Sequence, residues 1–193
     1  MPVLVGLDQI HISQITEADG VESYDTPVKV AGAMELGVSA NIDSQNLFAD
    51  DGVSEIIDNF SSAEVSITLK DVSNELLGQM LGKEKDSNGV WIDSADDIAP
   101  FIALGFRAKK SNNDYRYVWM YKGRIKLPEE AYKTKGESVD YQTVALTGTF
   151  IKRPKDGQWR RSVDSDDEEV GTGTIDSWFD AVYETPEEDT TTT

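Results

Sequence analysis

Cysteine is absent from the 193 residues, so disulfide staples, thiolate metal sites and thiol nucleophiles are excluded. Histidine occurs once, as His11, which leaves a single imidazole for any general-base role. Long apolar runs are also missing, and Met1-Pro2-Val3-Leu4-Val5 has neither a basic n-region nor an h-region of useful length. The expectation is a soluble protein made inside a cell without a recognisable export signal. Basic charge is scarce too, with 18 Lys plus Arg against 36 Asp plus Glu and a net charge of −18. That balance argues against a surface built to grip a phosphate backbone.

The scarce basic residues are not evenly spread. Lys29 is the only one before residue 65, residues 162–193 hold none, and most lie in 101–161. Complementary acidic and basic parts on one chain allow copies to attract head to tail, although solvated faces give the same pattern.

What is present is mostly period two. Leu36, Val38, Ala40 and Ile42 alternate with Glu35, Gly37, Ser39 and Asn41, and Val65, Ile67 and Leu69 alternate with Glu64, Ser66, Thr68 and Lys70. Further strands are expected at 7–12, 28–31, 101–109, 115–127 and 138–153. Ser111-Asn112-Asn113-Asp114 reads as a hairpin turn that pairs 101–109 with 115–127. Tyr115, Tyr117, Trp119 and Tyr121 share one face, which predicts packing of the sheet against another layer, with a ligand-stacking platform as the alternative.

Helical spacing occurs at 72–81, where Leu76, Leu77, Met80 and Leu81 follow a cap at Asp71 or Ser73 and precede Gly82. Ile175, Trp178, Phe179 and Val182 suggest a second, short helix. The fold class is therefore mainly β, an antiparallel β-sandwich with one flanking α-helix, formed by a single domain over 1–183. Residues 43–60 read as a long polar loop carrying Leu47, Phe48, Ile56 and Ile57 between acidic groups, a candidate contact between subunits. Residues 154–173 read as a mobile linker and 184–193 as an acidic tail ending in threonines.

No constellation supports catalysis. His11 lies in a strand candidate, where a structural role is the usual one. Gly78, Gly82 and Lys83 only superficially suggest a phosphate loop: the glycines are one residue too close, Glu84 replaces the hydroxyl residue and a helix precedes the lysine. Asp164, Asp166 and Glu168 begin like a calcium loop, but Glu169 stands at the tight-turn position and Ile175 at the bidentate position. The chain is read as a non-enzyme without cofactors.

Several stretches resemble the phi13-type major tail proteins of long-tailed bacteriophages. They are Thr26-Pro27 with Val30-Ala31-Gly32-Ala33, Leu47-Phe48-Ala49-Asp50-Asp51-Gly52, and 96–106 from Asp96-Asp97-Ile98 to Leu104-Gly105-Phe106. Tyr115-Arg116-Tyr117-Val118-Trp119 with Tyr121-Lys122-Gly123, Leu127-Pro128-Glu129-Glu130 running to Thr134-Lys135-Gly136, Thr147-Gly148-Thr149-Phe150 and Trp178-Phe179 complete the set. The resemblance implies a ring-forming tail tube fold, with hexameric rings whose inner sheets join into a barrel and stack into a non-contractile tail tube that conducts DNA during ejection. It implies a virion location after synthesis in the host cytoplasm, and a tape measure protein, a distal tail protein and a tail terminator protein as partners.

Under that reading Leu47, Phe48, Asp50, Asp51, Ile56 and Ile57 are the candidate contacts to the next ring. Glu35, Ser39, Asn41, Glu64, Ser66 and Thr68 are the candidates for the lumen, where carboxylates repel phosphate and let DNA slide. The competing expectation is a monomeric β-sandwich module that binds carbohydrate or another ligand on Tyr115, Tyr117 and Trp119.

Overall fold

The alternating segments fold as a strongly curled antiparallel sheet, seen in a computed structural model that describes residues 2–18, 21–49, 52–129 and 143–185, without the side chains of 47–49 and 52–55. Its strands are β1 (Leu4–Ala18), β2 (Val21–Tyr24), β3 (Val28–Val30), β4 (Ala33–Ala49), β5 (Gly52–Leu69), β8 (Ile102–Lys110), β9 (Tyr115–Lys126), β10 (Val144–Ile151) and β11 (Arg160–Asp164). A separate small hairpin joins β6 (Glu84–Lys85) to β7 (Trp91–Ile92), and the helices are α1 (Asn74–Leu81) and α2 (Thr172–Asp176). Asp50, Asp51, residues 138–142 of the last strand candidate and 186–193 of the tail lie outside the described residues.

Hydrogen bonding orders the sheet β2-β1-β8-β9-β10-β5-β4, with β3 also on β1 and β11 also on β9. Only Ala31 and Gly32 separate β3, which pairs with β1, from β4, which pairs with β5, so the sheet must curl until its two ends meet at this link. Gly32 makes the corner at φ 78°, a left-handed conformation that favours glycine, and its carbonyl accepts from Lys70 N at 2.7 Å. Inside the curl, Ile10, Ile12, Val65, Ile67, Leu69, Leu104, Met120 and Phe150 form one core closed at the side by Leu77, Met80 and Leu81 of α1. The expected architecture of sandwiched antiparallel layers with a flanking helix is therefore present, built from one sheet folded over itself.

Local chemistry accounts for the helix. Ser73 accepts from Leu76 N at 3.2 Å as the N-cap, and Gly82 ends α1 in the left-handed region at φ 73°. The expected hairpin between β8 and β9 also forms, with Lys109 opposite Tyr115.

β9 changes partners half-way. Leu104 faces Met120 while Ile102 faces Gly123, so one extra residue bulges from β9 at this point. Before the bulge β9 pairs with β11, and after it with β10. The bulge also switches faces, which lets Trp119 and Tyr121 point outward while Ile125 enters the core.

Two expected loops contain strands. Residues 43–60 are not a loop: β4 and β5 pair antiparallel from Ala33↔Leu69 to Ala49↔Gly52, with register shifts after Ala33, Asn41 and Leu47, forming a long two-stranded arm. Its distal part has no buried face to maintain, so Ile42, Ile56 and Ile57 do not show the alternation of the proximal part. Within residues 154–173, expected to be a mobile linker, Arg160–Asp164 form the strand β11. β11 pairs with β9 so that Asp164 lies opposite Arg116, and the guanidinium grips that carboxylate through two bonds of 2.7 and 2.8 Å.

Candidate functional site

The six residues expected on one polar strand face do share it. Glu35 is paired with Thr68, Ser39 with Glu64, and Gly37 with Ser66, while Asn41 donates to Ser62 at 3.2 Å. The opposite face of the same strands carries Leu36, Val38, Val65 and Ile67 toward the core. The polar face continues across the sheet, since Glu64 aligns with Thr149 and then Arg124, and Ser66 with Thr147 and then Lys126. Each row thus runs from acidic or hydroxyl side chains on β4 and β5 to basic ones on β9. Arg124 and Lys126 were missed by sequence reading because their membership depends on the bulge in β9.

The contact candidates divide. Ile56 and Ile57 sit on the distal arm at 64% and 51% exposure, joined by Ile42 at 55%, although Ile42 continues the apolar alternation of Leu36, Val38 and Ala40. Backbone pairing places Leu47 opposite Glu55 and Phe48 opposite Val53 near the tip. β10 pairs only with Ala63 to Leu69 of β5, so beyond Ala63 the arm has no further strand on either side among the described residues. Such edges template pairing with another chain.

The aromatic stripe is covered. Tyr117, Trp119 and Tyr121 are buried beneath Trp178, Phe179, Val182 and Tyr183, a C-terminal strap laid over β1, β8 and β9. Trp119 Nε1 donates to the Trp178 carbonyl at 2.9 Å and Tyr121 Oη to the Tyr183 carbonyl at 2.8 Å. Burial pushes the Tyr121 phenol up to about 12. The layer packing expected of these rings is present, and the exposed platform that a sugar-binding module needs is not. The second helix is shorter than its spacing suggested: α2 ends at Asp176, and Trp178, Phe179 and Val182 follow it in turns and irregular chain.

The separated charges of the sequence largely meet within one chain. Buried Lys110 pairs with Asp166 and with Asp164 at 3.0 Å, and the Arg116 and Lys110 bonds hold Asp164 down at about 2. Buried Lys122 pairs with Glu22. Arg153, also buried, binds Asp156 and, at 2.7 Å, Glu184, so the first residue of the expected tail is tied down. Asp164 and Asp166, two of the three possible calcium ligands, are thus occupied by cations of the chain itself. Among the described residues no cluster of three or more His, Asp or Glu is arranged to hold a metal ion.

The remaining chemical candidates have structural surroundings. His11 is buried and stacked on Phe179, with ring centroids 4.1 Å apart. Burial, with Lys29 and Arg107 nearby, lowers its pKa. Gly78 lies in α1 beneath Trp91, where a Cβ would come within 2.1 Å of the indole, and Lys83 is paired with Asp93. No helix among the described residues is long and apolar enough to cross a membrane. No protein-family model matches the chain, and no curated protein matches it.

Proposed function

We propose that the chain is a structural subunit that assembles into a tube, and that the tube is the tail tube of a long-tailed bacteriophage. The observation that carries this reading is the β4–β5 arm, a ribbon with exposed backbone edges and exposed Ile42, Ile56 and Ile57. In a lone subunit such an arm invites uncontrolled pairing, whereas against another copy its edges and side chains are covered. A contact made by the arm of one copy on a different surface of the next is heterologous and does not close, so rings stacked through it grow into a filament.

The resemblance in sequence supplies what the geometry does not: rings of six, a DNA conduit, and a tape measure protein, a distal tail protein and a tail terminator protein at its limits. A lumen lined by the outer face of β4, β5, β10 and β9 would present hydroxyls of Ser39, Ser66, Thr68, Thr147 and Thr149 between separated charges, with no continuous basic track to hold phosphates. The reading includes no catalytic step and no cofactor.

Electron microscopy of the purified protein across a concentration series, with sedimentation of the same samples, tests the proposal. Rings or tubes that lengthen with concentration are expected; a strictly monomeric particle at every concentration overturns it.

A further inference from the structure

The two faces of the sheet at β9 are held by different parts of the chain. On the inner face Ile10, Leu104, Met120 and Phe150 belong to a core made by the strands and α1 alone. On the outer face Tyr117, Trp119 and Tyr121 belong to a second cluster whose cover is the C-terminal strap. Met120 therefore lies in one cluster while its chain neighbours Trp119 and Tyr121 lie in the other, all three fully buried.

The strap adds no strand to the sheet. Its backbone N–H groups donate locally, Ser177 to Gly173, Trp178 to Ile175 and Asp180 to Ser177. What ties it down is ring packing, the two carbonyls that accept from Trp119 and Tyr121, and the pairing of Glu184 with Arg153 and Lys155. Docking also leaves polar atoms unmatched. Of the three buried side-chain polar atoms without a hydrogen-bond partner among the described residues, two sit at this contact, Nδ1 of His11 and Nε1 of Trp178. Such atoms lose water and gain nothing in return, so the strap is held less firmly than the paired strands beneath it.

His11 is the point at which a proton would act. Phe179 of the strap stacks on its ring, Lys29 faces it from β3, and Arg107, itself paired with Asp8, faces it from β8. Asp176 and Asp180 of the strap are exposed to solvent. A charged imidazole here is a buried cation beside two others, and its attraction to the Phe179 ring offsets only part of that cost.

We propose that residues 175–184 are a latch. When His11 takes up a proton the latch opens as a unit, the sheet and its inner core stay folded, and Tyr117, Trp119 and Tyr121 are uncovered. The device does not depend on the tube reading.

Hydroxyl-radical footprinting of the full chain at about pH 7.5 and about pH 5, read residue by residue by mass spectrometry, tests it. Oxidation of Trp119 and Tyr121 is expected to rise at least ~10-fold at the lower pH, while Met120 between them, itself readily oxidised, stays protected. Unchanged labelling of Trp119 and Tyr121 overturns the latch, and so does Met120 labelled in step with them, because the sheet would then be opening too. His11→Phe keeps a flat ring under Phe179 that cannot be charged, and should abolish the rise; a rise that persists overturns the assignment to His11. Should His11→Phe not fold, Glu184→Gln decides: labelling is expected to increase at both pH values with the acid rise intact, and loss of that rise overturns the proposal by placing the trigger at Glu184.

Discussion

The indole of Trp119 lies directly over Gly105, its cross-strand partner on β8, so closely that a Cβ on Gly105 would come within 2.7 Å of the ring. The glycine is the floor on which the aromatic stripe rests, and Phe179 of the strap meets the same indole edge-on at 5.9 Å between ring centroids. Gly105→Ala therefore forces Trp119 off its seat and disturbs the strap above it. The expected cost is about 1–3 kcal/mol, the usual range for overpacking a filled site. Urea unfolding followed by Trp fluorescence checks this: the midpoint falls while the slope holds, and an unchanged midpoint refutes the packing argument.

His11 makes the strap sensitive to acid. Burial beneath Phe179, reinforced by Lys29 from β3 and Arg107 from β8, depresses its pKa below the ordinary imidazole value of 6.5. The unfolded chain then takes up this proton first, so stability from the neutral ring is complete above pH 6.5 and is lost as pH falls from there to the depressed value. Because His11 is the only imidazole, its titration can be followed by NMR without assignment. A midpoint below 6.5 is expected; one at or above it would mean that the stacked, buried environment is wrong.

A lower window belongs to Asp164. The grip of Arg116, assisted by Lys110, holds its pKa at about 2 against an ordinary 3.8. Its contribution is present above pH 3.8 and disappears as pH drops through about 2. Asp164→Asn removes that dependence and loosens β11 from β9, so hydrogen exchange in residues 160–164 should accelerate at neutral pH. Equal exchange in the two proteins would show that backbone pairing alone secures β11.

The residues differ in how openly they announced these roles. Val65, Ile67 and Leu69 alternate because one side of β5 is core and the other is not, so both strand and face were legible. Ser73 and Gly82 marked α1 because caps are local chemistry. The distal arm was hidden for the converse reason: with neither face buried there is no periodicity to read, and acidic residues among Ile56 and Ile57 look like a loop. β11 was hidden because its place is set by a distant edge of β9, and Arg124 and Lys126 because their face is fixed by a bulge. Strand pairing, absent from any local window, decides all three.

The arm gives the sharpest test of assembly. Ile56 and Ile57 touch little of their own subunit, so Ile56→Ser with Ile57→Ser should leave the thermal midpoint within about 2 °C of wild type, as expected for exposed substitutions worth less than ~0.5 kcal/mol. The same change removes apolar area that stacking would bury, at ~25 cal/mol per Å² and at every copy around a ring. On the proposed tube reading, electron micrographs should then show single rings, or very short stacks, at concentrations where the wild type is expected to form tubes. Full-length tubes from the double variant would remove the arm's side chains from the ring-to-ring contact and leave only its backbone edges to make it.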